Sequence, residues 1–225
     1  MQIYIDSGNV DEITQSIKTG LISGVTTNPS LIAKEGRDFY EVIQLILHSF
    51  YEEHIEEFTV SMEVTHLESI ESMVQQGREF SQIDEHIIVK VPLTKNGLKA
   101  VSILSNENIK CNVTLCFSAS QALLAAKAGA WCVSPFVGRV EDEGWSGIEL
   151  LKDIKQTFVN YDIETQILAA SMRSVNHVHQ AMLLGIDMAT IPKSIFEKMY
   201  YNPLTNIGIE KFESDWREYE KNANE

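Results

Sequence analysis

Short β-type runs alternate with longer helical patterns along the whole chain, and this alternation constrains the fold more than any other feature. The pattern predicts strands near residues 2–6, 22–27, 58–64, 86–91, 110–115, 131–137, 165–170 and 187–191. Helical periodicity fills the intervals near 9–19, 39–53, 66–82, 95–106, 118–128, 145–159, 174–184 and 192–199, and a last amphipathic segment follows near 204–221. Each β-then-α unit takes roughly 25 residues, the spacing of a small eight-stranded parallel (β/α)8 TIM barrel. A doubly wound open sheet is the alternative. No Pro/Ser-rich linker or abrupt shift of composition divides the 225 residues, so 1–225 reads as one domain: a barrel over about 1–200 with an additional C-terminal helix. Phe212 and Trp216, at i and i+4 on that helix, need a surface to cover, either their own barrel or a neighbour.

The composition excludes several functions. A net charge of −14 opposes binding to nucleic acid or to an acidic membrane, since both require a basic footprint. An anionic substrate must then be held by local cations against the global field. The acidic runs at 52–57 and from Glu210 onward read as solvated helix faces. No stretch reaches the length of an apolar membrane span, and residues 1–6 start a strand where a signal peptide needs a basic then an apolar region, so a cytoplasmic location is expected. Cys111, Cys116 and Cys132 lack paired metal-type spacing and read as reduced structural residues. His177 and His179 are two apart on a helical pattern and diverge, so no metal is expected. The turns lack a nucleotide-type phosphate loop, which argues against ATP and NAD.

Lys90 stands in the run His86-Ile87-Ile88-Val89-Lys90-Val91-Pro92, whose β-branched residues read as a strand packed on both faces. An ammonium buried there is costly unless it is paired or loses its proton. That makes Lys90 a candidate Schiff-base nucleophile, while a lysine snorkelling from a strand end is the plain alternative. The barrel reading adds a demand, because active sites in this fold collect at the C-terminal strand ends. Polar residues sit there repeatedly: Asp6, Thr26-Thr27-Asn28, Glu63, Lys90, Asn112 and Thr114, Ser134 and Arg139, and Ser171 with Arg173. Singly each has a dull reading, Asp6 as a helix cap, Asn28-Pro29-Ser30 as a turn with a helix start, and Arg139 as a surface partner of Glu141 or Asp142. Convergence on one mouth explains them jointly.

Six motifs in order make the chain resemble the transaldolase family, in particular the short members grouped with fructose-6-phosphate aldolase. They are Gly24-Val25-Thr26-Thr27-Asn28-Pro29-Ser30-Leu31-Ile32, Val60-Ser61-Met62-Glu63-Val64, Ile88-Val89-Lys90-Val91-Pro92, Cys111-Asn112-Val113-Thr114-Leu115-Cys116-Phe117-Ser118, Ser134-Pro135-Phe136-Val137-Gly138-Arg139 and Ala169-Ala170-Ser171-Met172-Arg173. The resemblance implies that Lys90 attacks a ketose phosphate to form an iminium, with no organic cofactor or metal required. It implies that Asp6 takes the C4 hydroxyl proton as the C3–C4 bond breaks, and that Glu63 with Thr114 positions the proton-shuttling water. Asn28, Asn112 and Ser134 are implied to bind the three-carbon unit beside Thr26, and Arg139, Ser171 and Arg173 the phosphate. Aldolase members resemble one another in carrying Gln in place of Glu63 and Tyr in place of Phe136, so this chain has the transaldolase-type residue at both positions. Short members commonly form pentameric rings stacked into decamers, which implies a homo-oligomer here. Two other classes compete, a non-catalytic sugar-phosphate-binding barrel and a scaffolding ring.

Overall fold

The computed structural model describes residues 1–223. Strand β1 (Gln2–Asp6) leads into α1 (Val10–Ile17), β2 (Gly24–Thr26), α2 (Pro29–Glu35) and α3 (Phe39–Glu52). The alternation continues through β3 (Thr59–Glu63), α4 (Ile70–Ser81), β4 (Ile87–Pro92), α5 (Lys95–Asn106) and β5 (Cys111–Cys116). Then come α6 (Ala119–Lys127), β6 (Cys132–Pro135), α7 (Val137–Asp142), α8 (Gly147–Asn160) and β7 (Gln166–Ala169). Last are α9 (Val175–Leu183), β8 (Met188–Ile191), α10 (Lys193–Met199) and α11 (Pro203–Ala223). The strands pair in sequence order, all parallel, and β8 returns to β1. The barrel is closed, which excludes the open sheet.

Local chemistry explains where the helices start. Asn9, Asn28, Asp38, Ser69, Thr94, Ser118, Ser146 and Ser174 each accept a hydrogen bond from a backbone N–H of the first turn. Each such cap is worth about 1 kcal/mol. The apolar faces behind them, with Ile13, Ile43, Phe50, Phe80, Leu104, Leu151 and Phe196 buried, pack the helices onto the outside of the sheet. Tyr4, Cys132, Leu168 and Met188 form a separate cluster that fills the barrel's interior. Gly24 makes room for it, since a Cβ there would lie 2.3 Å from the Tyr4 ring and from the Thr59 carbonyl oxygen. The Tyr4 hydroxyl bonds Thr59 Oγ1 at 2.9 Å, and burial pushes the phenol up to about 12.

Three departures from the sequence pattern have physical causes. β6 ends at Pro135 instead of continuing to 137: Phe136 keeps a single bridge to Ala170, and Val137 opens α7, a helix that the apolar spacing does not separate from its neighbours. Asn28-Pro29-Ser30 starts a complete short helix, α2, with Pro29 in its first turn and Gly36 at φ 65° ending it. α4 begins at Ile70, not near 66, because Ser69 and Ser72 form a reciprocal capping box. α11 agrees with the expected terminal helix, and no residue of it is buried. Phe212 is 73% and Trp216 59% exposed, so the helix does not spend its apolar face on its own barrel. Among the described residues no helix is long and apolar enough to cross a membrane.

Candidate active site

Lys90 lies near the C-terminal end of β4, where the parallel register sets it beside Glu63 of β3 and Asn112 of β5. Its ammonium is 3.0 Å from Glu63 Oε2 and donates to the Thr27 carbonyl oxygen at 2.9 Å. The residue is only 5% exposed, so the head points into the barrel mouth and the snorkelling alternative fails. A charge so deeply placed needs a partner, and Glu63 supplies it.

Asp6, at the end of β1, faces the same mouth. Burial raises its carboxyl above the ordinary value of 3.8, against the opposing pull of the Lys90 charge and of a hydrogen bond from Thr26. Thr26 Oγ1 donates to Asp6 Oδ1 at 2.9 Å and lies 2.6 Å from Thr190 Oγ1. The two carboxylates thus have different surroundings: one is ion-paired with the amine, the other is desolvated and held by a hydroxyl. Such a division suits separate acid/base duties.

A polar shelf lies along β3, β5 and β6. Ser134 Oγ donates to Asn112 Oδ1 at 2.7 Å, and Asn112 Nδ2 donates to Ser61 Oγ at 3.2 Å. Thr114 Oγ1 is buried without a partner among the described residues, a free hydroxyl on the strand next to Lys90. The β5–β6 register shifts between Val113 and Cys116, and Leu115 within that interval takes φ 60°. Ser171, just past β7, takes φ 57°. Left-handed backbone at non-glycine residues costs about 1–3 kcal/mol, and here it falls at the mouth, where strain of this kind tends to collect.

Asp6, Thr26, Asn28, Lys90, Ser134, Phe136, Arg139, Ser171 and Thr190 line a cleft of ≈ 150 Å³ together with Ala170. Of the larger clefts, one of ≈ 540 Å³ around Trp131 and Tyr161 lies at the opposite end of the barrel, where those residues precede β6 and β7, and one of ≈ 510 Å³ beside Phe117 and Trp145 adjoins the site through Arg139 without being lined by Lys90. The structure gathers most of the expected set. Asn28 stands at the cleft while its side-chain oxygen caps α2, accepting from the Leu31 N–H at 3.0 Å. Arg139 stands 5.3 Å over the Phe136 ring.

The anion group is only partly assembled. Arg139 and Ser171 line the cleft, whereas the Arg173 guanidinium is turned to Asp142, bonding both carboxylate oxygens, one at 2.6 Å. That pairing holds the Asp142 carboxyl below its ordinary range. Gly138 permits the approach, since a Cβ there would stand 2.5 Å from Arg173 Nε. Asp142 is thus the partner of Arg173 rather than of Arg139, and Glu141 pairs with His177 at 3.1 Å. Sequence reasoning missed Thr190. Its signal was a polar residue near the C-terminal end of the eighth strand, the one strand from which no candidate was drawn.

The family model described as Transaldolase/Fructose-6-phosphate aldolase matches residues 3–223. A probable transaldolase of Caldicellulosiruptor saccharolyticus is 51% identical over 222 residues, covering 98% of this chain and 99% of the relative. A probable transaldolase of a Thermoanaerobacter species is 50% identical, and one of Methanococcus maripaludis 51%, each covering 96% of this chain and 97% of its own length.

Proposed function

Because the chain belongs to the transaldolase/fructose-6-phosphate aldolase family, we propose that it is a transaldolase moving a dihydroxyacetone unit between ketose and aldose phosphates through a Schiff base on Lys90. The reaction is sedoheptulose 7-phosphate with glyceraldehyde 3-phosphate giving erythrose 4-phosphate and fructose 6-phosphate. One observation carries the reading: a buried lysine in a barrel mouth, ion-paired at 3.0 Å with one carboxylate while a second, desolvated carboxylate faces the same cleft. A binding module gains nothing from that costly trio.

Glu63 takes the proton that Lys90 must lose, and the free Nζ attacks C2 of the ketose. Water leaves the carbinolamine and an iminium forms. Asp6 removes the C4 hydroxyl proton, the C3–C4 bond breaks, and its electron pair moves into the iminium to give an enamine as the aldose departs. The acceptor's carbonyl carbon is then attacked by C3 of the enamine, Asp6 returns the proton, and water releases the new ketose. The Thr114 hydroxyl, which has no hydrogen-bond partner among the described residues, can bond that water. Asn112, Ser134, Asn28 and Thr26 supply hydrogen bonds to the three-carbon unit, and Arg139 and Ser171, joined by Arg173 once it leaves Asp142, hold the phosphate.

We further propose a homo-oligomer, with the stacked pentameric rings of the short family members as its form, in which a second copy covers α11. Its support is a 21-residue helix carrying Leu204, Ile207, Phe212, Trp216 and Tyr219 exposed.

Borohydride reduction with fructose 6-phosphate should leave a stable mass increment on Lys90, and Lys90→Arg should lose both trapping and turnover. With erythrose 4-phosphate present, sedoheptulose 7-phosphate should form faster than free dihydroxyacetone is released. Faster release would make the protein an aldolase; an untrapped, inactive protein would refute the enzyme reading.

A further inference from the structure

The hydroxyl chain behind Asp6 is more specific than a pair of buried threonines requires. Thr26 and Thr190 are each 2% exposed, and their oxygens are 2.6 Å apart across the seam where β2 and β8 flank β1. An ionised Asp6 can only accept, so the single proton of Thr26 goes to Asp6 Oδ1. The short contact to Thr190 must then be closed by the Thr190 proton. When Asp6 carries a proton the chain can run the other way: Asp6 donates to Thr26 and Thr26 to Thr190. Two hydroxyls turn, and no heavy atom has to move.

We propose that Thr190 is a positioning residue which, through Thr26, orients the Asp6 carboxyl and supports it in both of its protonation states. The inference rests on the acid/base duty given to Asp6 above. Two aligned donors polarise one another, so the chain favours the ionised carboxylate over what Thr26 alone would achieve. The charged groups that face Asp6 are Lys90 from β4, Glu63 from β3 behind it, and Arg139 from α7 across the cleft. Replacing Thr190 alters none of them.

Thr190→Val keeps the shape and deletes the hydroxyl, while Thr190→Ser keeps the hydroxyl. In transfer from fructose 6-phosphate to erythrose 4-phosphate, the valine variant should lose about tenfold in kcat, in the range of one buried hydrogen bond. KM should stay within about twofold, and the acid limb of the pH profile should move up by about half a unit. Borohydride trapping of dihydroxyacetone on Lys90 needs no C3–C4 cleavage and should be unchanged. Serine should restore the rate and the profile. In parallel, substrate-free protein with 13C-labelled aspartate should show the Asp6 carboxyl titrating higher in Thr190→Val than in the unaltered chain or in Thr190→Ser. A valine variant with unchanged kcat or unchanged Asp6 titration overturns the proposal, and so does a serine variant as impaired as valine, which would make the role one of packing. An unaltered protein without trapping or transfer would refute the proposed function instead, with the carboxyl titration still deciding the hydroxyl chain.

Discussion

Replacing Glu63 by glutamine is the most searching perturbation, because one heavy atom changes and two consequences can be separated. In the structure the carboxylate lies 3.0 Å from Lys90 Nζ, with the side chains only 13% and 6% exposed. Removing one charge of a buried pair costs about 3–5 kcal/mol. Here the amide oxygen can still accept from Nζ, and the Thr27 carbonyl oxygen remains at 2.9 Å, so the expected loss lies at the low end, about 3 kcal/mol. Urea unfolding at neutral pH should read this as a lower midpoint at unchanged slope. An amide also cannot take the lysine proton or pass it to water, so transfer should fall by about 10²–10⁴. Adding Phe136→Tyr supplies a hydroxyl at the cleft and should raise the ratio of free dihydroxyacetone to sedoheptulose 7-phosphate. A Glu63→Gln protein that transfers at the unaltered rate would sink the assignment of Glu63 as proton carrier, whatever its stability.

Other expectations follow from the site and from α11. Arg173→Ala should weaken phosphorylated substrates by about 30- to 150-fold, the worth of charge-assisted hydrogen bonds, with little change for dihydroxyacetone; equal losses for both would assign Arg173 to the fold. The carboxyl of Asp6 is raised in the folded state, so the stability it contributes is full below the unfolded value of 3.8 and is lost as pH rises through the folded value. Asp6→Asn should therefore lose transfer while melting no lower than the unaltered protein at pH 7, and a clear fall in Tm would contradict the desolvation account. Trp216→Glu with Phe212→Ser should reduce the mass seen by light scattering without altering the circular dichroism of the barrel. An unchanged mass would remove α11 from any interface.

The alternation of patterns was enough to read the closed barrel, because eight strands buried on both faces and eight amphipathic helices admit few other arrangements. Boundaries were less legible where the reason is local and three-dimensional. The end of β6 depends on Pro135 and on a bridge from Phe136 to Ala170, and α7 is too short to declare a period. Lys90, Asp6 and Glu63 were readable as polar residues at strand ends, while their separate roles came only from the family resemblance and not from the residues themselves. Which carboxylate pairs with the amine is decided by the register that sets Glu63 beside Lys90, a fact no single strand contains. Arg173 shows the converse: its place in the chain suggests the anion group, while its guanidinium rests on a carboxylate from another element. Thr190 was passed over because threonine suits a strand for its branched Cβ alone, and its value lies in the oxygen 2.6 Å away.

The plug of Tyr4, Cys132, Leu168 and Met188 makes the barrel a blind alley. Lys90 is therefore approached from the C-terminal ends of the strands, and under the proposed function donor and acceptor sugars share that approach. If the proposed function holds, the first aldose steps out before the second steps in, and for that interval Lys90 holds the three carbons. Initial-rate plots at several fixed acceptor concentrations should then run parallel, a queueing order in which the closed floor acts together with the proposed covalent bond at Lys90.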